Sequence, residues 1–256
     1  MRDIKKLVKT GALQYRPLLG IQNAKTIKGE DLGYITGIMY LAPADIVNGL
    51  NLCPYASAGC KKSCLFSAGR GRFNNVYSAR IAKTEFFRDN LNSFFYSIER
   101  DINKIYNRAK KQGKKCAIRL NGTSDIRWEL YRDKNGKNIF ELYPKIQFYD
   151  YTKDWNRVEA LTGHWNNYHL TYSMSESIQS KKQAVKLLKL GVNVAIVFSQ
   201  LPNEFLGYEV INGDKHDLRF LDRRGVIVGL TPKGAAKNDK SGFVQYINKN
   251  TLQEAA

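Results

Sequence analysis

The sequence predicts an α/β fold: a full or partial (β/α) barrel of parallel strands, with a cysteine-bearing loop after the first strand. Three observations predict it. Apolar runs of strand length end repeatedly in small polar clusters, helical periodicity separates several of these runs, and 256 residues suit one large domain better than two ordinary ones. A doubly wound open sheet is the alternative assembly of the same units.

The strand-like runs are, in order, "YITGIMYLAP", "CAIRLNGTSD", "IQFYDYTK", "YHLTYSMSES", "VNVAIVFSQ", "YEVINGDKHD" and "GVIVGLTPKG". Between the first two, residues 75–112 carry Phe87, Leu91, Phe94, Ile98, Ile102 and Ile105 at three- and four-residue steps, which predicts one buried helical stripe stopped by Gly113. A second helix is predicted from Ser177 to Leu190, ending at Gly191. No linker, low-complexity segment or repeat interrupts the series. Residues 1–256 are therefore read as a single barrel-like domain, with 1–33 as a peripheral N-terminal extension.

In parallel βα units the loops at the C-terminal strand ends converge on one face, so chemistry collects there. The polar clusters fall at those ends: Asn121, Gly122, Thr123, Ser124 and Asp125; Asp150, Thr152 and Lys153; Ser173, Ser175 and Glu176; Asn212, Asp214 and Asp217; Thr231 and Lys233. Each cluster alone also suits a turn or cap, and Ser124, Ser175 and Ser177 are read first as caps. Asp150 and Lys153 are the groups expected to orient a substrate or move a proton, with Asp214, Asp217 and Lys233 completing the rim.

Forty-one Lys and Arg against 23 Asp and Glu give a net charge of +18, a field that attracts phosphates or anionic cofactors. The longest apolar run, "VNVAIVF", is too short to span a bilayer and the first fifteen residues lack an apolar signal core, so a soluble, cytoplasmic protein is expected. Cys53, Cys60 and Cys64 lie within twelve residues, too local for a disulfide framework, and reduced metal-binding thiols are the better reading. Cys116 begins the strand ending at Asn121, roughly 16 Å below that end at ~3.3 Å per residue, and is read as a core cysteine. Three thiolates without a fourth suit an iron–sulfur cluster that keeps one iron free. The rival is zinc with His216 as fourth ligand, although the spacing Cys-x6-Cys-x3-Cys fits no common zinc ribbon or finger.

The stretches "NLCPYASAGCKKSCL", "GRGRFNNVYSARIAKTEFF", "RLNGTSDIRWE", "FYDYTK", "NYHLTYSMSE", "GDKHDLRFLD" and "VIVGLTPKGAAKNDKSGFV" together resemble the phage family called gene product 88. The resemblance runs from about residue 34 to 245 and implies a phage source, expressed in the host cytoplasm, without implying an activity. A looser likeness is to radical S-adenosylmethionine enzymes, partial (β/α) barrels whose three-cysteine loop follows the first strand, although their usual spacing, Cys-x3-Cys-x2-Cys, is shorter in both gaps. That likeness implies a [4Fe–4S] cluster on Cys53, Cys60 and Cys64. It also implies S-adenosylmethionine held by Asn121, Gly122, Thr123, Ser124, Asp125 and Ser173. Two other functions stay open: a zinc-stapled nucleic-acid binder using Lys61, Lys62, Arg70 and Arg72 with Tyr55, Phe66 and Phe73 for stacking, and a metal-dependent hydrolase using Asp125, Asp150 and Asp214.

Overall fold

The structure, a computed structural model, describes residue 11 and residues 13–247. Ten strands form one sheet: β1 (Leu19–Gly20), β2 (Tyr34–Met39), β3 (Lys115–Arg119), β4 (Gln147–Thr152), β5 (Tyr168–Ser173), β6 (Val194–Phe198), β7 (Glu204–Phe205), β8 (Tyr208–Asn212), β9 (Ile227–Leu230) and β10 (Val244–Gln245). Their order is β1-β2-β3-β4-β5-β6-β9-β8-β7, with β10 also paired to β6. All seven runs expected as strands are present and pair in parallel with their neighbours.

The sheet does not close. Its edges are the two-residue strands β1 and β7, each antiparallel to its neighbour, so neither continues the parallel ladder around to the other. From β2 to β6 the strands lie side by side in chain order, unlike a doubly wound sheet, where the order reverses near the middle.

The helices are α1 (Ala24–Glu30), α2 (Ala58–Lys62), α3 (Asn74–Asp89), α4 (Leu91–Lys111), α5 (Ile139–Leu142), α6 (Trp155–Leu161) and α7 (Ile178–Lys189). Strand side chains alternate, and the register sorts them into two faces. Ile35, Met39, Cys116, Ile118, Phe148, Leu170, Tyr172, Val194 and Ile196 share one face and pack into the main core with the apolar stripes of α4 and α7. Cys116 is thus a core residue. The opposite face carries Ala117, Arg119, Tyr149, Tyr151, His169, Thr171 and Ser173, and is covered by α1 and the segment 214–222.

The single helix expected over 75–112 is two. Asn90, at φ −140° and ψ 57°, ends α3 and starts α4, accepting from Phe94 N at 2.9 Å and donating to Phe86 O at 3.0 Å. The break leaves Leu91 40 % exposed, outside the stripe that buries Phe94, Ile98 and Ile102 completely. Ser177 caps α7 by accepting from Ser180 N at 3.0 Å. Ser177→Ala is expected to cost about 1 kcal/mol in urea unfolding, because it orphans a first-turn N–H; an unchanged midpoint would show water serving equally well.

The described part of the segment read as a peripheral extension is built into the domain. Leu18 is fully buried, and Asp101 of α4 accepts from Leu18 N at 2.7 Å, Leu19 N at 3.0 Å and Tyr15 Oη at 2.6 Å. Residues 1–10 and 12 of that segment lie outside the described residues. Among the described residues, no helix is long and apolar enough to cross a membrane.

Candidate functional site

The loop between β2 and α3 is pinned across the C-terminal strand ends. Leu52 O accepts from Asp125 N at 2.8 Å, and the Cys53 thiol points to Thr123 O at 3.8 Å, both beyond β3. Beyond β5, Glu176 accepts from Ser57 Oγ at 2.6 Å and Gly59 N at 2.9 Å, while Ser57 caps α2 through Cys60 N at 3.2 Å. A Cβ at Gly59 would meet Ser241 Oγ at 2.4 Å and the Glu176 carboxyl at 2.9 Å, so a side chain there would have to push these groups aside and disturb the Glu176 bonds to the loop. Cys64 Sγ accepts from Phe66 N at 3.5 Å. Arg80 donates to Phe66 O at 2.6 Å, and its guanidinium lies over the rings of Tyr40 and Phe66.

The three thiols are reduced and half-buried. Burial is the first cause of raised pKa in all three, pushing Cys53 up to about 12. The charges of Cys60 and Cys64 raise Cys53, and that of Cys60 raises Cys64. Two cations face them. Lys153 favours the thiolates of Cys60 and Cys64, and Arg80 that of Cys64. Lys153 is held in place by Ser173 Oγ and O, each at 3.1 Å, and Met174 O at 3.3 Å, over the ring of Phe243.

On the polar face, Arg119 donates to Asp217 at 2.9 and 3.0 Å, Lys25 donates to it at 3.1 Å and Tyr149 Oη at 3.2 Å. Burial alone would raise the Asp217 carboxyl, but the Arg119 and Lys25 charges outweigh it and hold it well below the usual range. The Arg119 guanidinium also lies over the Tyr151 ring. Tyr40 links the two regions: Arg80 sits over its ring, and it feels the charges of Arg119 and Asp217. Thr36 Oγ1, Thr171 Oγ1 and His169 Nε2 on this face are buried without a hydrogen-bond partner among the described residues.

The family description gene product 88 matches residues 16–247. The chain belongs to the gene product 88 family, a family of phage proteins. No curated protein and no solved structure matches it.

In this gene product 88 chain the sequence-expected residues divide among three places. Lys153, Ser173 and Asp125 stand beside the thiols: Lys153 and Asp125 shift Cys60, and Ser173 holds Lys153. Asp217 is on the polar face with Arg119. Asp214 and Lys233 pair with each other at the rim of β8 and β9, where Asp214 also accepts from Thr231 Oγ1 at 2.6 Å.

Asp150 and Asn121 are on the wrong side of the sheet for the mouth. Asp150 shares the helix-covered face with Phe148 and accepts from Asn121 N at 2.7 Å, Asn121 Nδ2 at 3.2 Å and Tyr168 Oη at 3.3 Å. Asn121 Oδ1 accepts from Ser124 Oγ, Ile126 N and Trp128 Nε1. Thr123 Oγ1 donates to Leu41 O at 2.6 Å, and a Cβ at Gly122 would strike Met39 O at 2.4 Å. Asp125 is committed to Thr152, Lys153 N and Arg157. The "NGTSD" groups assigned to a cofactor are therefore occupied in tying strand ends together. Asp125 and Asp150 lie within reach of each other's charge, but Asp214 is paired with Lys233 at another strand end, so among the described residues the three carboxylates of the hydrolase reading do not gather.

His216 is engaged by Arg219 at 3.1 Å and lies 3.8 Å from Asp222, and it is not a fourth ligand to the thiols. Among the described residues, no group of three or more His, Cys, Asp or Glu side chains is gathered to hold a metal ion. The stacking platform expected around the loop loses Phe66, which is buried against Tyr77 and Arg80, and Lys61 pairs with Asp45 at 2.7 Å. Sequence reasoning passed over Arg119, Lys25, Arg80 and Tyr40. Arg119 had a signal: a charged residue inside the apolar run "CAIRL", with parity opposite to Ile118.

Burial raises the Asp150 carboxyl to about 7, against an ordinary 3.8. A raised carboxyl favours the fold while protonated in both states, and that stability is lost as pH climbs from 3.8 through about 7. Asp150→Asn should therefore gain on the native protein across that window and hold a constant difference above it, read by urea unfolding at stepped pH. A difference independent of pH would show Asp150 titrating normally.

Proposed function

We propose that this protein is an iron–sulfur protein in which Cys53, Cys60 and Cys64 hold a [4Fe–4S] cluster at the C-terminal edge of the sheet. The supporting observation is three reduced, half-buried thiols within reach of one another's charge, on a loop pinned to two strand ends and faced by Lys153 and Arg80. The donor set fits. A cluster takes each cysteine on a different iron, so its thiols stand apart instead of surrounding one ion. Three thiolates concentrate negative charge, which Lys153 offsets at Cys60 and Cys64 and Arg80 at Cys64, against the nearby carboxylates of Asp125 and Glu176.

When bound, such a cluster supplies one-electron chemistry and one iron open to a small molecule. The chain's own residues would bind and orient that molecule. Lys153, fixed by Ser173 and Met174, offers an ammonium to a carboxylate or phosphate. Arg119, Asp217 and Tyr40 make a charged, aromatic floor, with Thr171 Oγ1 and His169 Nε2 unpartnered on the same face. S-adenosylmethionine, with its amino-acid group, is the ligand this reading names.

The test is an electron paramagnetic resonance titration of anaerobically reconstituted, reduced protein with S-adenosylmethionine. The cluster signal should change on addition, with weaker binding in Lys153→Met. A loaded cluster whose signal ignores S-adenosylmethionine removes the ligand and leaves the cluster. A chain that takes up no iron under conditions that load a control protein removes both.

A further inference from the structure

At the opposite end of the sheet lies a groove of about 500 Å³, lined by Lys110 and Lys114 near the end of α4, Lys115 at the start of β3, Lys145 before β4, and the rings of Tyr34 and Tyr106. No Asp or Glu lines it. Lys114 reaches Glu30 at 3.4 Å, but among the described residues Lys110, Lys115 and Lys145 have no carboxylate within ion-pair distance. Lys110, Lys115 and Lys145 are also exposed, so their ammonium groups are available to an anion. Lys115 and Gln147 begin their strands, which puts the groove at the N-terminal strand ends, away from the thiols beyond the C-terminal ends.

We propose that this groove binds single-stranded nucleic acid, with its phosphodiester backbone along the four lysines. Four ammoniums in one concavity suit a repeating anion better than an isolated phosphate. The walls choose a single strand over a duplex: a groove of about 500 Å³ cannot admit a double helix, whereas one strand can enter and set bases against Tyr34 and Tyr106. The charge thins further up α4, where Arg100 and Lys104 both lie 4.2 Å from the Tyr15 ring and Glu99 lines the next hollow, so the footprint is short. Binding here does not depend on Cys53, Cys60 or Cys64, none of which lines the groove.

Fluorescence anisotropy with a labelled single-stranded oligonucleotide tests this on the full chain. Affinity should fall with salt at a log–log slope of about −3, from roughly four phosphate contacts at ~0.7 each. Lys110→Glu with Lys145→Glu should weaken binding by at least about tenfold, since two contacts become repulsions. Lys182→Glu with Lys189→Glu, an equal charge change on the exposed side of α7, should leave it nearly unchanged, as should Cys60→Ala. Equal weakening by both double variants would reduce the effect to net charge and overturn the site. A duplex of equal length binding more tightly, an inorganic polyphosphate displacing the strand at equal phosphate concentration, or loss of binding in Cys60→Ala would each overturn it too.

Discussion

Asp217→Asn is expected to destabilise the protein by about 3–5 kcal/mol at neutral pH, because it leaves Arg119 buried without its counter-ion. The Arg119 side chain is 6 % exposed and donates two hydrogen bonds to Asp217, so water cannot replace the lost charge without opening the polar face. Asparagine keeps one acceptor oxygen, so Lys25 and Tyr149, which now bond different oxygens of Asp217, are left to share it, and Lys25 loses its counter-ion as well. The pH dependence supplies a second reading. Asp217 has a depressed folded-state pKa, so its contribution is present above the ordinary 3.8 and is lost as pH falls below it. Native protein should lose stability on acidification through that range, and the variant should lose less. Asp150 has the opposite sign, so acid weakens the polar-face ion pair while it favours the fold at Asp150. A change below about 1 kcal/mol for Asp217→Asn, within the range of an exposed pair, would mean that the polar face is open to water.

Alanine at Cys53, Cys60 or Cys64 is expected to abolish iron uptake in reconstituted protein, whereas Cys116→Ala should retain it. The contrast comes from position. Cys116 lies on the apolar face in the main core, and its thiol is raised to about 12 by burial alone, with no charged neighbour named among the causes. The other three sit among charges: Cys53 feels Cys60 and Cys64, Cys60 feels Lys153, and Cys64 feels Cys60, Arg80 and Lys153. Circular dichroism on each variant separates lost ligation from lost folding. Iron retained in full by any one of the three single variants would remove that cysteine from the ligand set, and iron lost by a folded Cys116→Ala would refute the three-thiol geometry.

The parallel sheet was legible because each strand is an apolar run closed by a polar cluster, a pattern set by local alternation alone. Which face a polar residue joins was also encoded, though less plainly. Asp150 shares parity with Phe148, whose large apolar ring marks the helix-covered side, and Arg119 has the opposite parity to Ile118. Taking all strand-end polar groups as one mouth ignored that alternation, which sends Asp150 behind the sheet; Asn121, past the end of β3 and of the same parity as Arg119, is drawn there instead by its hydrogen bonds to Asp150, Ile126 and Trp128. Closure was not legible, because it depends on the edges. β1 and β7 are two residues long, too short to show a pattern, and they turn the sheet's margins antiparallel. The break at Asn90 was hidden for a related reason: no Gly or Pro marks it, and the apolar spacing continues across it in "FFRDNLNSFF".

The most direct measurement is the iron and acid-labile sulfide content of the protein purified or reconstituted without oxygen. About four of each per chain, in a brown sample, is the expected result for a [4Fe–4S] cluster on Cys53, Cys60 and Cys64. A colourless protein with no iron, or one carrying stoichiometric zinc under conditions that load a control cluster protein, would contradict it.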